Sequence, residues 1–333
     1  MRGGWTMLPS SLVFLLTLKC NFKCDHCSVS AGPERNETIT NELLKLTIEQ
    51  AYFIPSIRTI IFTGGETTLF PNLLKNGLIY AQRKGFKTRM VTNAWWAASI
   101  DKTKKFLETL VKCGLNEINI SYDDFHAPYL EKFGGIQNII NVIKVAKNIG
   151  LDVLIGLGLI SKSKITSAYL RQKLIEYGIN DEIRILEDYV FPLGRARESL
   201  PNNIFIPDPQ LEKMNGCEDA GRTLAIMPNG DVLFCCGHII ATEASKIATI
   251  GNLNHGDTLS ELIDRMQRNI LYWLLYFKGP SWIIKKIRQE KKIYRHCEGC
   301  YYLATEYKDK LHVIAHNKEE IYYKLKEGRI YEL

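Results

Sequence analysis

The sequence predicts an α/β protein built on a parallel sheet, followed by a smaller region of different character. Three observations carry that expectation. Six apolar, β-branched runs alternate with amphipathic segments through residues 10–190, glycines stand where the segments stop, and from Cys217 the alternation gives way to a hairpin signal and paired cysteines. A chain of 333 residues has room for one large domain and a smaller one. Charged residues at 24% and hydrophobic ones at 46% are ordinary for a globular protein and argue against disorder.

The elements follow in order. The first strand is the apolar run 12–18, and further runs lie at 58–62, 87–92, 117–121, 152–160 and 182–186. Between them, amphipathic helices are expected near 42–53, 73–84, 103–112, 137–148 and 166–177, with Gly85, Gly114, Gly150 and Gly178 suited to left-handed caps. Strand and helix alternating in this way make six βα units and a parallel sheet, but periodicity does not say whether it is open or closed into a barrel. Residues 191–216, with four prolines in 191–210, read as a linker. A third region spans 217–305: runs 223–227 and 231–234 flank Pro228-Asn229-Gly230 as a hairpin, 258–277 reads as one long apolar helix, and 283–295 is basic. Residues 306–333 form a tail expected to be helical over 319–326.

The chemistry begins at Cys20-Asn-Phe-Lys-Cys24-Asp-His-Cys27, directly after the first strand. Three thiols bent around one loop can converge on a metal centre, one short of the four that close a zinc site or saturate a cubane. Nine cysteines in a chain without a convincing signal sequence point to metal or redox chemistry rather than disulfides. The apolar run after Met1-Arg2 is too short for a signal segment, Lys19 sits where a lipoprotein site needs a small residue, and no stretch approaches a membrane span. A cytoplasmic location is expected.

The cysteine spacing resembles that of the radical S-adenosylmethionine (radical SAM) superfamily. The resemblance implies a partial (β/α)6 barrel with its active site at the C-terminal strand ends, and a 4Fe–4S cluster on Cys20, Cys24 and Cys27 whose open iron binds SAM. It further implies a 5′-deoxyadenosyl radical made with one electron from a flavodoxin- or ferredoxin-type donor. Gly64, Gly65 and Glu66 match the family's Gly-Gly-Glu stretch after the second strand, with Thr67 where proline is usual. By the same resemblance His26 lies near the adenine, while Asn93, Ser121 and Asp123, at strand ends, face SAM. Asp124 and His126 add polar groups at that mouth, His126 as a substrate contact or an ordinary loop histidine. Gly156 and Gly158 admit adenine or merely pack.

From Cys217, twelve residues lead to Gly230, four more to Cys235, and Cys297-x2-Cys300 follows. This resembles the Twitch domain, the shortened relative of the SPASM domain, and implies one auxiliary 4Fe–4S cluster on Cys217, Cys235, Cys297 and Cys300. Two all-cysteine auxiliary clusters would require more thiols than the chain has. A structural zinc on the same four thiols fits the spacing equally well.

Cys113 and Cys236 are then spare. Cys236 beside a ligand resembles the hydrogen-donor cysteine of radical SAM peptide epimerases, which implies a ribosomally synthesised peptide substrate and L-to-D inversion. It could equally pack as a small apolar residue or exchange with Cys235 as ligand. The competing reactions are thioether or carbon–carbon cross-linking of a peptide, and alcohol dehydrogenation with the auxiliary cluster as electron acceptor. The barrel begins too early for an N-terminal leader-recognition domain of about 80 residues, which weighs against leader-dependent maturation. From another class comes a zinc-binding nucleic-acid module using the basic stretch. The net charge of +7 does not single out nucleic acid, and six βα units argue against it. Trp95, Trp96 and the aromatic run Tyr272, Trp273, Tyr276 and Phe277 read as core or as the wall of a peptide groove.

Overall fold

The alternation folds as six parallel strands, seen in a computed structural model that describes residues 8–180, 182–208, 211, 216–312, 314 and 323. The strands are β1 (Ser11–Thr17), β2 (Thr59–Gly64), β3 (Lys87–Thr92), β4 (Glu117–Ser121), β5 (Asp152–Leu159) and β6 (Arg184–Tyr189). Three more follow, β7 (Thr223–Ile226), β8 (Asp231–Leu233) and β9 (Thr249–Asn252), in one sheet of order β6-β5-β4-β3-β2-β1-β7-β8-β9. β7 runs parallel beside β1, and the β7–β8–β9 meander is antiparallel.

One cavity takes lining residues from all six parallel strands, among them Val13, Ile61, Val91, Asn119, Gly156 and Leu186. The sheet therefore curls around it as a partial barrel, left open because β6 and β9 are its two free edges. Alternation along β1 sends Val13 and Leu15 to the cavity and Leu12, Phe14 and Leu16 to the helical layer, where all three are fully buried. A strand covered on both faces reads as a continuous apolar run.

The covering helices are α1 (Asn41–Ala51), α2 (Pro71–Arg83), α3 (Ile100–Lys112), the single turn α4 (Ala127–Leu130), α5 (Ile136–Ile149) and α6 (Ser167–Glu176). Thr40 and Thr166 cap α1 and α6 by accepting from the amides of Leu43 and Tyr169. Gly150 ends α5 in the left-handed conformation, as the sequence suggests.

Several expectations need correction. β6 lies later than 182–186, because it is an edge strand whose Glu187 and Asp188 are polar and whose pairing with β5 runs to Tyr189. The run 258–277 is two helices, α8 (Leu259–Gln267) and α9 (Ile270–Lys286, itself interrupted by a non-helical kink at Gly279), since Asn269 ends the first and caps the second by accepting from the amides of Leu271 and Tyr272. The stretch after β6 is packed rather than a free linker. It forms α7 (Arg195–Ser199) and buries Phe191, Leu193, Ala196 and Phe205. β9 escaped the sequence reading because four residues give no periodicity. α10 (His296–Thr305) closes the C-terminal part, and the helix expected over 319–326 falls almost entirely outside the described residues.

The basic stretch is ion-paired within the fold at two positions, while Lys285, Lys286, Arg288 and Lys292 are exposed. Arg295 pairs with Asp188 and Asp208, and Lys291 with Glu306 at 3.0 Å. The aromatics pack against the core rather than on the wall of this cavity. The Trp95 and Trp96 indoles donate to Thr68 and Thr92 hydroxyls, Tyr272 is fully buried, and none of these aromatics lines the cavity.

Candidate active site

The loop after β1 is short and tightly tied. Cys20 N–H donates to the Gly32 carbonyl at 3.0 Å, and Gly32 N–H returns a bond to Leu18. Buried Phe22 stacks on Tyr129 with centroids 5.4 Å apart and anchors the bend from below. The sulfurs of Cys20 and Cys27 accept from the amides of Phe22 and Ala31, each at 3.4 Å. Cys20, Cys24 and Cys27 all line the cavity. Burial first, then the nearby Glu66 carboxylate, pushes the Cys20 thiol up to about 12, and burial pushes Cys24 up as well. Thiols so placed become thiolates only where a cation is supplied among them.

Gly64, Gly65 and Glu66 lock β2 onto this loop. Gly65 N–H donates to the Thr17 carbonyl at 2.7 Å and Glu66 N–H to that of Lys19 at 2.9 Å. Side chains on Gly64 or Gly65 would run into the Thr17 and Lys19 carbonyls, so the glycines serve the close approach of two backbones. The Glu66 side chain is fully buried and points away from the cavity, accepting from Thr68, from the Thr92 hydroxyl at 2.9 Å and from Asn93 N–H at 2.8 Å. Burial raises its carboxyl against those bonds. Its role here is to set the β3 end, from which Asn93 reaches Asn21 at 3.0 Å and the Cys20 sulfur at 3.8 Å. Gly65→Ala is expected to cost about 3 kcal/mol in chemical denaturation, because the obstacle is backbone and cannot rotate aside. An unchanged unfolding midpoint would mean that the loop is free to shift.

Across the mouth, Asp123 is the hub. Its Oδ1 accepts from Phe125 N–H at 2.9 Å, His126 N–H at 3.0 Å and His126 Nδ1 at 2.9 Å, and its Oδ2 from Gly158 N–H at 3.0 Å and His26 Nε2 at 3.3 Å. Burial opposes its charge, yet His126 and His26 hold the carboxyl well below the usual range. Burial also drives His26 towards its neutral form, so at neutral pH it meets Asp123 as a neutral donor. His26 stacks on Phe125 with centroids 4.5 Å apart. Gly158 is needed for this crowding, since a Cβ there would come within 3.1 Å of Asp123 and His26. Asp124 faces elsewhere and caps the amide of Lys164 at 2.8 Å. Ser121 lines the cavity, as do Asn119 and His26, whose buried Oδ1 and Nδ1 have no partner among the described residues. Orphaned polar atoms on a cavity wall suit a polar cofactor such as SAM.

The four C-terminal thiols gather from three elements. Cys217 follows the stretch after β6, Cys235 follows β8, and Cys297 and Cys300 share one face of the first turn of α10. Cys235 and Cys297 crowd Gly237 so closely that a Cβ there would lie 3.0 and 2.9 Å from their sulfurs. Burial pushes Cys297 up to about 12 and raises Cys217, Cys235 and Cys300. Among the described residues, the trio of donors whose ligand atoms lie within 4.8 Å of one another is Cys24, His26 and His126. The four C-terminal thiols are spread more widely than that.

Cys236 lines the same cavity as the triplet, but from its other end. It follows β8, which runs antiparallel to β7 with Leu233 opposite Ala225, and so returns towards Thr223, whose hydroxyl bonds Ser11, the first residue of β1, at 2.8 Å. The triplet lies beyond Thr17, the last residue of β1, a strand about 20 Å long. Burial keeps the Cys236 thiol protonated, at about 11, although its surface opens on the cavity. Cys113 caps α3 away from both sites.

The sequence reading missed three contributors. Asn119 faces the cavity from mid-strand, and His238 stacks edge-on against Phe191 at 4.3 Å over the barrel's open side. The third is Arg195, buried against the triplet loop, whose only sequence signal is its place after Gly194 in a proline-rich stretch.

Residues 14–163, from β1 to the turn before α6, match the family model described as the radical SAM superfamily. It is similar to the putative peptide biosynthesis protein YydG of Bacillus subtilis (strain 168), 22% identical over 281 residues, 84% of this chain and 84% of that protein. It is also similar to the antilisterial bacteriocin subtilosin biosynthesis protein AlbA of the same strain, 22% identical over 317 residues, 88% of this chain and 67% of that one. Among solved structures, Streptococcus suis SuiB bound to precursor peptide SuiA aligns with a TM-score of 0.48 and 19% identity, over 80% of this chain and 66% of that one. BtrN in complex with AdoMet and 2-DOIA aligns with a TM-score of 0.49 and 16% identity, over 84% and 91%.

Proposed function

We propose that this chain is a radical SAM enzyme that modifies a ribosomally synthesised peptide by inverting one L-residue to its D form. Similarity to YydG and AlbA, one named for peptide and the other for bacteriocin biosynthesis, supports the peptide class. The observation that carries the inversion is Cys236, a thiol on the cavity wall at the end opposite the cysteine triplet. When bound, the triplet's cluster and SAM supply a hydrogen-abstracting radical. A peptide strand held between the two ends would lose hydrogen from Cα on the face towards the triplet. Cys236 then returns hydrogen from the other face: its S–H bond breaks, a C–H bond forms with inverted configuration, and a thiyl radical remains. That sulfur is restored to a thiol by one electron from an external flavodoxin- or ferredoxin-type donor and one proton from water. Asn93, Ser121, Asn119 and His26 offer polar contacts to SAM, with Gly64, Gly65 and Glu66 fixing the backbone beneath and Asp123 orienting His26.

Cys217, Cys235, Cys297 and Cys300 would hold one auxiliary 4Fe–4S cluster. Single-ion zinc would draw its thiolates to about 3.8 Å from one another, whereas no three of these sulfurs lie within 4.8 Å among the described residues. Anaerobically reconstituted protein is expected to hold about eight iron atoms, two cubanes of four, and the Cys217→Ala/Cys300→Ala double variant about four. Stoichiometric zinc in protein purified without reconstitution would contradict the second cluster. Among the described residues no helix is long and apolar enough to cross a membrane.

The reading is tested by anaerobic turnover of a candidate peptide from a neighbouring small reading frame. Deoxyadenosine formation with unchanged peptide mass and a new D-residue on chiral hydrolysis is expected. A loss of about two daltons, one per hydrogen removed, would replace inversion by cross-linking or alcohol oxidation.

A further inference from the structure

Arg195 begins α7, in the stretch that follows β6, yet its contacts lie on the loop after β1. Its side chain is buried. Nη1 donates to the Cys24 carbonyl at 2.8 Å, Nη2 donates to that of Ala31, and its backbone N–H donates to that of Cys27 at 3.0 Å. Gly194 makes the approach possible: its φ is +56°, and a Cβ there would collide with the Cys27 and Ser28 carbonyls. Among the described residues the guanidinium has no carboxylate within ion-pair distance. A buried cation is costly unless an opposite charge lies near, and main-chain carbonyls offer only partial charge. Within the field of Arg195 lie the thiols of Cys20 and Cys24 and, at the surface, the Glu34 carboxylate, which Lys23 already pairs at 3.0 Å.

We propose that Arg195 is a positioning residue of the triplet site: it clamps the 24–31 loop into the bend that makes the three cysteines converge, and its charge favours the reduced state of the cluster they hold. The inference rests on the radical SAM reading of the triplet. The clamp is a property of the polypeptide, and the charge effect a property of the loaded site. A positive charge close to the cluster stabilises the state with one more electron, so removing it lowers the midpoint potential.

The test uses the full chain with Arg195→Gln and Arg195→Lys. Amide hydrogen exchange on iron-free protein reads the clamp, and an EPR-monitored redox titration of reconstituted protein reads the charge. In the glutamine variant, exchange over 24–31 is expected to quicken by about tenfold or more, as two charge-assisted bonds are lost, and the midpoint to move to more negative potential. Lysine keeps the charge but not the fork, so exchange should quicken while the midpoint stays near that of the parent. A parent-like midpoint in the glutamine variant, or a displaced one in the lysine variant, overturns the charge effect. Parent-like exchange in both variants overturns the clamp. A parent protein whose EPR signal ignores added SAM defeats the radical SAM reading, and the exchange result stands apart from that outcome.

Discussion

Asp123→Ala is expected to destabilise the protein by about 3–5 kcal/mol, the cost of breaking a buried charged network by removing one member. The carboxylate is almost fully buried and accepts from Phe125, His126, Gly158 and His26, which between them come from β5, from the loop after β4 and from the triplet loop. Alanine would strand those donors away from water. It would also release His26 from its seat on Phe125 and so loosen the residue that precedes Cys27. Chemical denaturation measures the loss. Asp123→Asn keeps the size but turns one acceptor into a donor facing N–H groups, and is expected to recover only part of the stability. The pH dependence follows from the sign of the shift. A carboxyl held below its unfolded value stabilises the protein fully above the ordinary aspartate range and loses that contribution as pH falls through the folded value. Parent and alanine variant should therefore converge in stability on acidification, and a gap that widens instead would rule out the ionised hub.

Cys236→Ala is expected to abolish D-residue formation while deoxyadenosine is still released. The triplet, its glycine clamp and the Asp123 hub lie at the far end of β1, and none of the hydrogen bonds that build them involves Cys236. The radical should therefore form and take hydrogen, but find no thiol on the opposite face. Chiral analysis of hydrolysed peptide, run beside deoxyadenosine quantification, separates the two events. Loss of both products together would assign Cys236 to the integrity of the site. Retention of both would assign it to packing.

Much of this was legible in the sequence because the parts are local. The buried strands read as apolar runs and the triplet is contiguous, and both kinds of signal survive without knowledge of the fold. Edge and polar elements were not legible in the same way. β6 carries Glu187 and Asp188 on a strand that pairs, among the described residues, with β5 alone, so no apolar pattern marks its end. Asn269 divides a run that composition alone makes continuous, because a cap acts through one side chain. Arg195 was invisible for a different reason: its partners are carbonyls more than 160 residues earlier, and a carbonyl has no residue type to betray it. The position of Cys236 is intermediate. Its adjacency to Cys235 can be read directly, but its place at the foot of the barrel depends on β7 pairing with β1 through Ser11 and Thr223.

The most direct test of the central claim is the peptide's mass after turnover of the parent enzyme in deuterated water. Hydrogen returned from an exchangeable thiol would come back as deuterium, so the account predicts a gain of about one dalton, located on the Cα of a D-residue. A peptide lighter by about two daltons, or a D-residue carrying no deuterium, would contradict it.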